Sequence, residues 1–326
     1  MLQTVRYLIG TAGPSGYGSK SAAEEVTESC PDLRSVTAII TGATSGIGAE
    51  VARVLAKRGA RLVLPARNLK AAEEARARIV AEFPDSEILV MALDLSSLSS
   101  VRKFASENNA GKFTHNHAIS EDGIEMTFAT NYLGHFLLTK LLVNKMAETA
   151  SATGIQGRIV NVTSGIHGWV SGDIIQNLGV ITRNKRQYDA TRAYALSKLC
   201  NVLHTKELAY RLKDMGANVT ANCVHPGVVR TRLTREREGF ITDLVFLLAS
   251  KLLKTIPQAA ATTCYAAVHP RLLNVSGKYF VDCNEATPSK QAMNLTEAAR
   301  IWVFSDTVVS SKDPKAALEN YLSSIN

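Results

Sequence analysis

The feature that most constrains this 326-residue chain is a short apolar run, Val36–Ile40, that ends in Thr41-Gly-Ala-Thr-Ser-Gly-Ile-Gly48 and leads into a helical pattern. That helix, expected over Ala49–Arg58, carries Val51, Val54 and Leu55 on one face. The alternation repeats: Arg61–Pro65 reads as a strand, Leu69–Phe83 as a helix, and Glu87–Leu93 as a third strand ending at Asp94. Strand, helix, strand in this rhythm requires right-handed crossovers and a parallel sheet covered on both faces. The fold class expected is therefore α/β, a doubly wound parallel sheet between two helix layers.

Later segments continue the pattern. A long helix is expected over Phe128–Met146, a strand over Gly157–Val162, a helix over Tyr194–Leu212, a strand over Asn218–Val224 and a last strand over Lys278–Val281. Residues 1–34 read as an N-terminal tail with a short helix around Ala22–Thr27. Residues 35–305 read as one domain, and 306–326 as a C-terminal tail or helix. A chain of this length, 46% hydrophobic, can bury a core of that size.

One place breaks the rhythm. After Asp94, residues 95–107 must cross the sheet and return as a strand before Asn108-Asn-Ala-Gly111. A crossover needs at least ~10–12 residues and a typical strand about 5–6 more. The segment Leu95–Glu107 is polar, helical in pattern and free of any β-branched apolar run. One inner strand is expected to be missing.

Composition narrows the function. The net charge of +8 suits an anionic ligand, but the basic residues are scattered and form no block interleaved with aromatics, which argues against nucleic acid. Five widely spaced cysteines without a C-x-x-C pattern indicate a reducing compartment, no disulfide frame and no zinc. No apolar run reaches the ~20 residues that span a bilayer. Residues 1–20 hold Arg6 and Lys20 but no acid, and read either as an organelle-targeting segment or as a plain tail.

The glycine turn has the chemistry of a pyrophosphate cradle. Gly42 suits a turn with positive φ, Gly46 a close backbone approach and Gly48 tight helix packing, while the helix start offers free N–H groups to phosphates. The second strand ends in Ala66-Arg67-Asn68 with no carboxylate before Glu73, so Arg67 points to a 2′-phosphate and NADP(H). Asp94 meets either the adenine or the start of the next helix. Tyr194 and Lys198 stand one helical turn apart, and no other tyrosine here has a lysine four residues on. An ammonium so placed is expected to lower the phenol pKa from about 10. Ser164 directly follows a strand, and Asn131 is a polar group in a mostly apolar helix.

With Asn108-Asn-Ala-Gly111, Asn131, Ser164 and Tyr194/Lys198 following the glycine turn in this order, the chain resembles the short-chain dehydrogenase/reductases, Rossmann-fold oxidoreductases, from about Val36 to Val281. Ala22-Ala-Glu-Glu-Val-Thr27, Arg158-Ile-Val-Asn-Val-Thr-Ser164 and His225-Pro-Gly-Val-Val-Arg-Thr231 resemble the retinol-dehydrogenase-like branch, in particular plant dehydrogenases associated with the chloroplast inner-envelope translocon. The resemblance implies roles. Tyr194 would be the general acid/base, Lys198 its electrostatic partner and ribose ligand, Ser164 the donor to the substrate oxygen, and Asn131 the holder of a relay water. Gly42, Ser45, Gly46, Ile47 and Gly48 would line the pyrophosphate, Arg67 the 2′-phosphate, and Asp94 and Leu95 the adenine. Asn108 and Ala110 would border the ribose, and Pro226, Gly227 and Thr231 the nicotinamide carboxamide. Residues 232–260 would form a substrate lid, the apolar part Phe240–Leu253 meeting either an apolar carbonyl substrate or a membrane surface, or else being a helix packed on the core.

The implied activity is NADP(H)-dependent hydride transfer, without a metal, to or from an apolar aldehyde, ketone or retinoid-like alcohol. The implied setting is the chloroplast envelope or stroma, with peripheral membrane or translocon association, or the cytoplasm if residues 1–20 are only a tail. In the family an apolar strand runs directly into Asn-Asn-Ala-Gly; here Ala105-Ser-Glu107 takes its place. That departure keeps two alternatives open: a non-catalytic NADP(H)-binding regulator, and a shortened, inactive variant such as a splice product.

Overall fold

The computed structural model describes residues 7–106, 119–183, 188–229 and 253–324. Three parallel strands, β1 (Thr37–Ile39), β2 (Arg61–Ala66) and β3 (Ile88–Ala92), pair in the order β1-β2-β3, with Ala38 opposite Leu62 and Leu64 opposite Val90. A second sheet has the order β4-β5-β6-β7. Here β4 (Gly157–Val162), β5 (Val219–His225) and β6 (Tyr279–Val281) are parallel, and β7 (Asn284–Ala286) returns antiparallel. Among the described residues β1 bonds only β2, and β4 bonds only β5.

The strand expected to be missing belongs to residues 95–107, before Asn108-Asn-Ala-Gly111; residues 107–118 lie outside the described residues. The segment before them is helical: α4 (Leu98–Ser106) buries Leu98, Val101 and Phe104. Ile39 on β1 and Val162 on β4 are 43% and 40% exposed.

The alternation of β2 shows why both faces are covered. Leu62 and Leu64 enter one core, with Val51, Val54 and Leu55 of α2 (Gly46–Lys57). Val63 packs on the opposite core, with Phe128, Phe136 and Leu203. Side chains alternate across a strand, so a parallel sheet between two helix layers shows apolar residues at successive positions. On that second face lie α5 (Gly134–Thr153) and α7 (Ala190–Asp214), with α6 (Ile174–Arg183) packed beside α7. The α3 helix (Leu69–Glu82) starts from Asn68, whose side chain accepts from the Ala71 N–H at 3.1 Å.

The tail expected over residues 1–34 does not describe residues 7–34. Helix α1 (Ala23–Thr27) buries Ala23 and Val26 completely, and Glu24 pairs with Arg53 at 2.5 Å and Lys57 at 2.6 Å on α2. Upstream, Asn284 on β7 accepts from the Ser15 N–H and donates to the Tyr17 carbonyl, both at 3.0 Å. Replacing Asn284 by Ala leaves both backbone groups without that partner. The expected cost is about 1–3 kcal/mol of stability in denaturant unfolding, with the midpoint lowered and the slope unchanged. The other boundary also moves. Position 305 falls inside α9 (Leu295–Ser310), and α10 (Pro314–Ser323) buries Leu318 and Leu322 in the same core as Phe304, so residues 306–324 belong to the domain. Helix α8 (Ile256–Val268) begins within the stretch expected to be a lid, and its Ala260 and Cys264 join the core of α2 and β2.

Candidate active site

The glycine turn folds as the motif requires. Gly42 and Gly46 have φ of +68° and +60°, the left-handed region that disfavours a Cβ, and a Cβ on either would meet nothing within 4 Å. Among the described residues the space beside them is open, as a backbone cradle for a bulky anion needs. Gly48 has the opposite surroundings: a Cβ there would run into the Gly42 carbonyl oxygen. Ser45 is the N-cap of α2, yet its exposed hydroxyl caps no backbone N–H. No acid stands in the first turn of α2, so its N-terminal dipole is left positive. Ile47 packs into the core beneath.

At the far end of β2, Arg67 is half-buried, and burial holds its guanidinium pKa down while the Asp94 charge pulls it up. Asp94 itself takes the turn role. Its Oδ1 accepts from the Ser96 N–H at 2.9 Å and the Ser96 hydroxyl at 2.6 Å, and its own N–H donates to Ser100 Oγ at 2.9 Å. The Leu95 carbonyl presses on Gly134, where a Cβ would collide with it; this glycine lets α5 pass the loop. Arg67, Asp94 and Leu95 are thus near the strand ends expected for them, and Asp94 spends one oxygen on its own loop.

The catalytic candidates come from three separate elements. Ser164 follows β4 and N-caps a 3-10 turn over Gly165–Trp169. Tyr194 and Lys198 lie in α7, with the Lys198 ammonium 5.4 Å from the centre of the Tyr194 ring. The Val162 carbonyl, at the end of β4, accepts from Lys198 Nζ at 3.1 Å and Asn201 Nδ2 at 3.2 Å. Thr163 Oγ1 donates to the Lys198 carbonyl at 2.7 Å, fastening β4 to the middle of α7. Asn131 sits in a π-helical turn, Ala129–Leu133, and its Nδ2 donates to Ser197 Oγ at 3.3 Å. Such single-turn π bulges are rare within α-helices and recur at functional sites.

The electrostatics differ from the expectation in one respect. The Tyr194 phenol is raised above its ordinary value of 10, because burial outweighs its hydrogen bond with Ser164. The lysine is the more perturbed group: Lys198 is half-exposed by area, yet protein surrounds its ammonium and depresses its pKa to about 8. Spacing put the pair together, but desolvation and not their mutual charge sets the phenol.

Two histidines join the site although sequence assigns neither a role: His135, which no motif includes, and His225, which opens one of the branch motifs. His135 Nε2 meets Thr41 Oγ1 at 3.1 Å and its Nδ1 meets the Thr130 carbonyl at 3.1 Å, so it joins the glycine turn to the π turn. Burial, then the Lys198 charge, lower its pKa to about 4 and keep it neutral. His225 Nδ1 accepts from the Gly165 N–H at 3.3 Å, tying the end of β5 to the turn after Ser164. Beyond it come Pro226 and Gly227, with φ of +92° at the glycine. Asn108, Ala110, Thr231 and the apolar segment Phe240–Leu253 up to residue 252 lie outside the described residues.

A family model described as short chain dehydrogenase matches residues 36–240. The chain is 46% identical over 314 residues to short-chain dehydrogenase TIC 32 B, chloroplastic, of Brassica napus, covering 93% of this chain and 97% of the relative. It is 40% identical over 280 residues to retinol dehydrogenase 12 of Bos taurus, covering 81% and 83% of the two chains. Among solved structures, an uncharacterized protein from Mycobacterium paratuberculosis superposes with a TM-score of 0.66 at 29% identity, over 88% of this chain and 97% of that one.

Proposed function

This chain belongs to the short-chain dehydrogenase family, and on that premise we propose that it is an NADP(H)-dependent oxidoreductase acting on an apolar aldehyde, ketone or retinoid-like alcohol. The reading rests on one observation above the others: Ser164, Tyr194 and Lys198 converge from β4 and α7, and His135, which feels the Lys198 charge, bonds Thr41 at the start of the glycine turn. The bound nicotinamide supplies or accepts the hydride. Everything else falls to side chains of this chain.

Ser164 Oγ donates to the substrate oxygen and holds it beside the phenol. Tyr194 Oη gives that oxygen its proton in reduction and takes one back in oxidation. A phenol raised by burial is fully protonated at neutral pH, so the resting site is set to donate, which favours reduction. As the phenol gives up its proton, the Lys198 ammonium over its ring offsets the charge that develops, in surroundings where such an offset is worth more than in water. Asn131, through Ser197, whose hydroxyl donates to the Tyr194 carbonyl at 2.7 Å, holds the helical turn that carries the pair.

The preference for NADP(H) rests on Arg67 and on the lack of an acid at the end of β2. Titration with NADPH and, separately, NADH, followed by nicotinamide fluorescence, tests the reading. Saturable binding that favours NADPH by roughly ten- to hundredfold is expected, the worth of hydrogen bonds to a charged group. Arg67→Ala is expected to remove most of that preference while leaving NADH binding unchanged. Binding of neither nucleotide would overturn the function proposed.

The chloroplast is the compartment proposed, from relatives that carry that word in their names. No helix among the described residues is long and apolar enough to cross a membrane, so any association with an envelope translocon would be peripheral through this part of the chain. A second reading is a regulator that binds NADP(H) without turnover, kept open by Ala105-Ser-Glu107 standing where the family has an apolar strand. Saturable NADPH binding with no turnover across a panel of aldehydes and ketones would favour it.

A further inference from the structure

Lys254 is one of the most enclosed charged side chains among the described residues, and no role described so far uses it. Its side chain is 3% exposed and pairs with Asp282 at 2.5 Å, the aspartate being 20% exposed. The backbone of Lys254 donates to the Val228 carbonyl at 2.8 Å and forms a parallel bridge with Val229. Its aliphatic stem lies against Gly227, where a Cβ would come within 2.7 Å of Lys254 Cδ. The glycine is needed twice: for its φ of +92° and for the passage of this lysine.

Asp282 is itself held in an unfavourable place. Asp282 and Cys283 form the two-residue turn between β6 and β7, with φ of +52° and +62°, although both carry a Cβ. Asn284 Nδ2 donates to the Asp282 carbonyl at 2.6 Å, and the Cys283 N–H donates to Thr262 Oγ1 of α8 at 3.2 Å. A left-handed pair of ordinary residues persists only where its surroundings enforce it. The turn is thus a fixed anchor, and the lysine reaches from that anchor to the loop after β5.

We propose that Lys254 is a positioning residue that fixes the Pro226–Val229 loop for the nicotinamide end of the cofactor, with Asp282 holding its ammonium in place. The inference rests on the NADP(H) reading above for the identity of the ligand, but the buttress itself does not. An isolated buried ammonium would be strongly unfavourable, so the aspartate fixes where the lysine stem lies, and the stem fixes Gly227. His225, immediately before the loop, also senses both charges: Lys254 lowers its pKa and Asp282 raises it, while burial dominates and brings it to about 4. Pair and loop therefore form one unit with the histidine that binds the turn after Ser164.

The test compares wild type, Lys254→Met, Lys254→Arg and Asp282→Asn by NADPH titration and by hydrogen–deuterium exchange. Lys254→Met is expected to weaken NADPH binding about ten- to hundredfold, the scale of a misplaced positioning group. It should also speed amide exchange at residues 227–229 while β4 exchanges at the wild-type rate. Lys254→Arg should restore most of both, and Lys254→Met combined with Asp282→Asn should be no worse than Lys254→Met alone. A lowered melting temperature in Lys254→Met, with wild-type NADPH affinity and wild-type exchange at 227–229, would reduce the pair to a stabilising contact and overturn the proposal. Failure of the wild type to bind either nucleotide would overturn the cofactor reading instead, and the exchange experiment would still decide whether Lys254 holds the loop.

Discussion

Tyr194→Phe is expected to reduce kcat by roughly 10³-fold or more, toward the upper range for loss of a general acid, while NADPH affinity changes less than about twofold. The phenylalanine keeps the ring in its place in α7, with the Lys198 ammonium over its face, so packing is conserved. Only the hydroxyl is lost, and with it the proton for the substrate oxygen and the hydrogen bond with Ser164. Single-turnover measurement with bound NADPH and an aromatic aldehyde separates the chemical step from binding. Retained turnover would remove Tyr194 from the mechanism. Weakened binding with unchanged single-turnover rate would make it a cofactor contact.

Gly48→Ala is expected to act on the cradle itself, weakening cofactor binding and not the chemical step. The added methyl meets the carbonyl oxygen of Gly42, a backbone atom that can yield only by moving the turn. Overpacking of this kind costs about 1–3 kcal/mol. Spent on displacing the turn, it corresponds to roughly ten- to hundredfold weaker NADPH binding. Gly179→Ala serves as the control. It lies in α6, and its Cβ would come no nearer than 3.5 Å, to a methyl of Leu322. That change is expected to be neutral or to stabilise by about 0.5–1 kcal/mol, since alanine suits a helix interior better than glycine. Equal losses in the two variants would mean that Gly48 owes nothing to its contact with Gly42.

The parts of this fold that sequence exposes are those whose cause is local. The strands and helices from β1 to β3 fall within a few residues of their expected bounds, because period, glycine turn and apolar face lie in consecutive positions. Asn68 caps α3 for the same reason. The N-terminal helix escapes such reading as part of the core. Only Ala23 and Val26 are apolar there, and their burial is decided by α2 and α8, which are remote in sequence. Helix α6 and strand β7 have patterns too short or too mixed to stand out before their neighbours are known.

In the site, the order of motif residues locates Ser164, Tyr194 and Lys198, but not the balance of charge among them. Burial is a property of the assembled fold, and it raises the phenol and depresses the lysine together. His135 looks like any other histidine, and His225 like one member of a motif, until their ring nitrogens are seen bridging separate segments. Lys254, in Leu253-Lys254-Thr255, reads as an ordinary surface cation. Only its contact with Gly227 and Asp282 reveals otherwise.

The core beneath β1 and β2 has a consequence for how the chain is made. Ala260 and Cys264 of α8 complete the same cluster as Leu62 and Leu64, and α1 packs on α8 as well as on α2. The ribosome therefore delivers the cradle strand and its glycine turn long before the helix that closes their underside. Contacts so distant in sequence slow folding and leave apolar surface open meanwhile. At about 5–20 residues per second, the interval between Leu64 and Cys264 is on the order of 10–40 s. During that interval the nascent chain offers Val51, Val54, Leu62 and Leu64 to any chaperone at the tunnel exit, and a chain truncated before α8 should emerge aggregation-prone even though its nucleotide motif is intact.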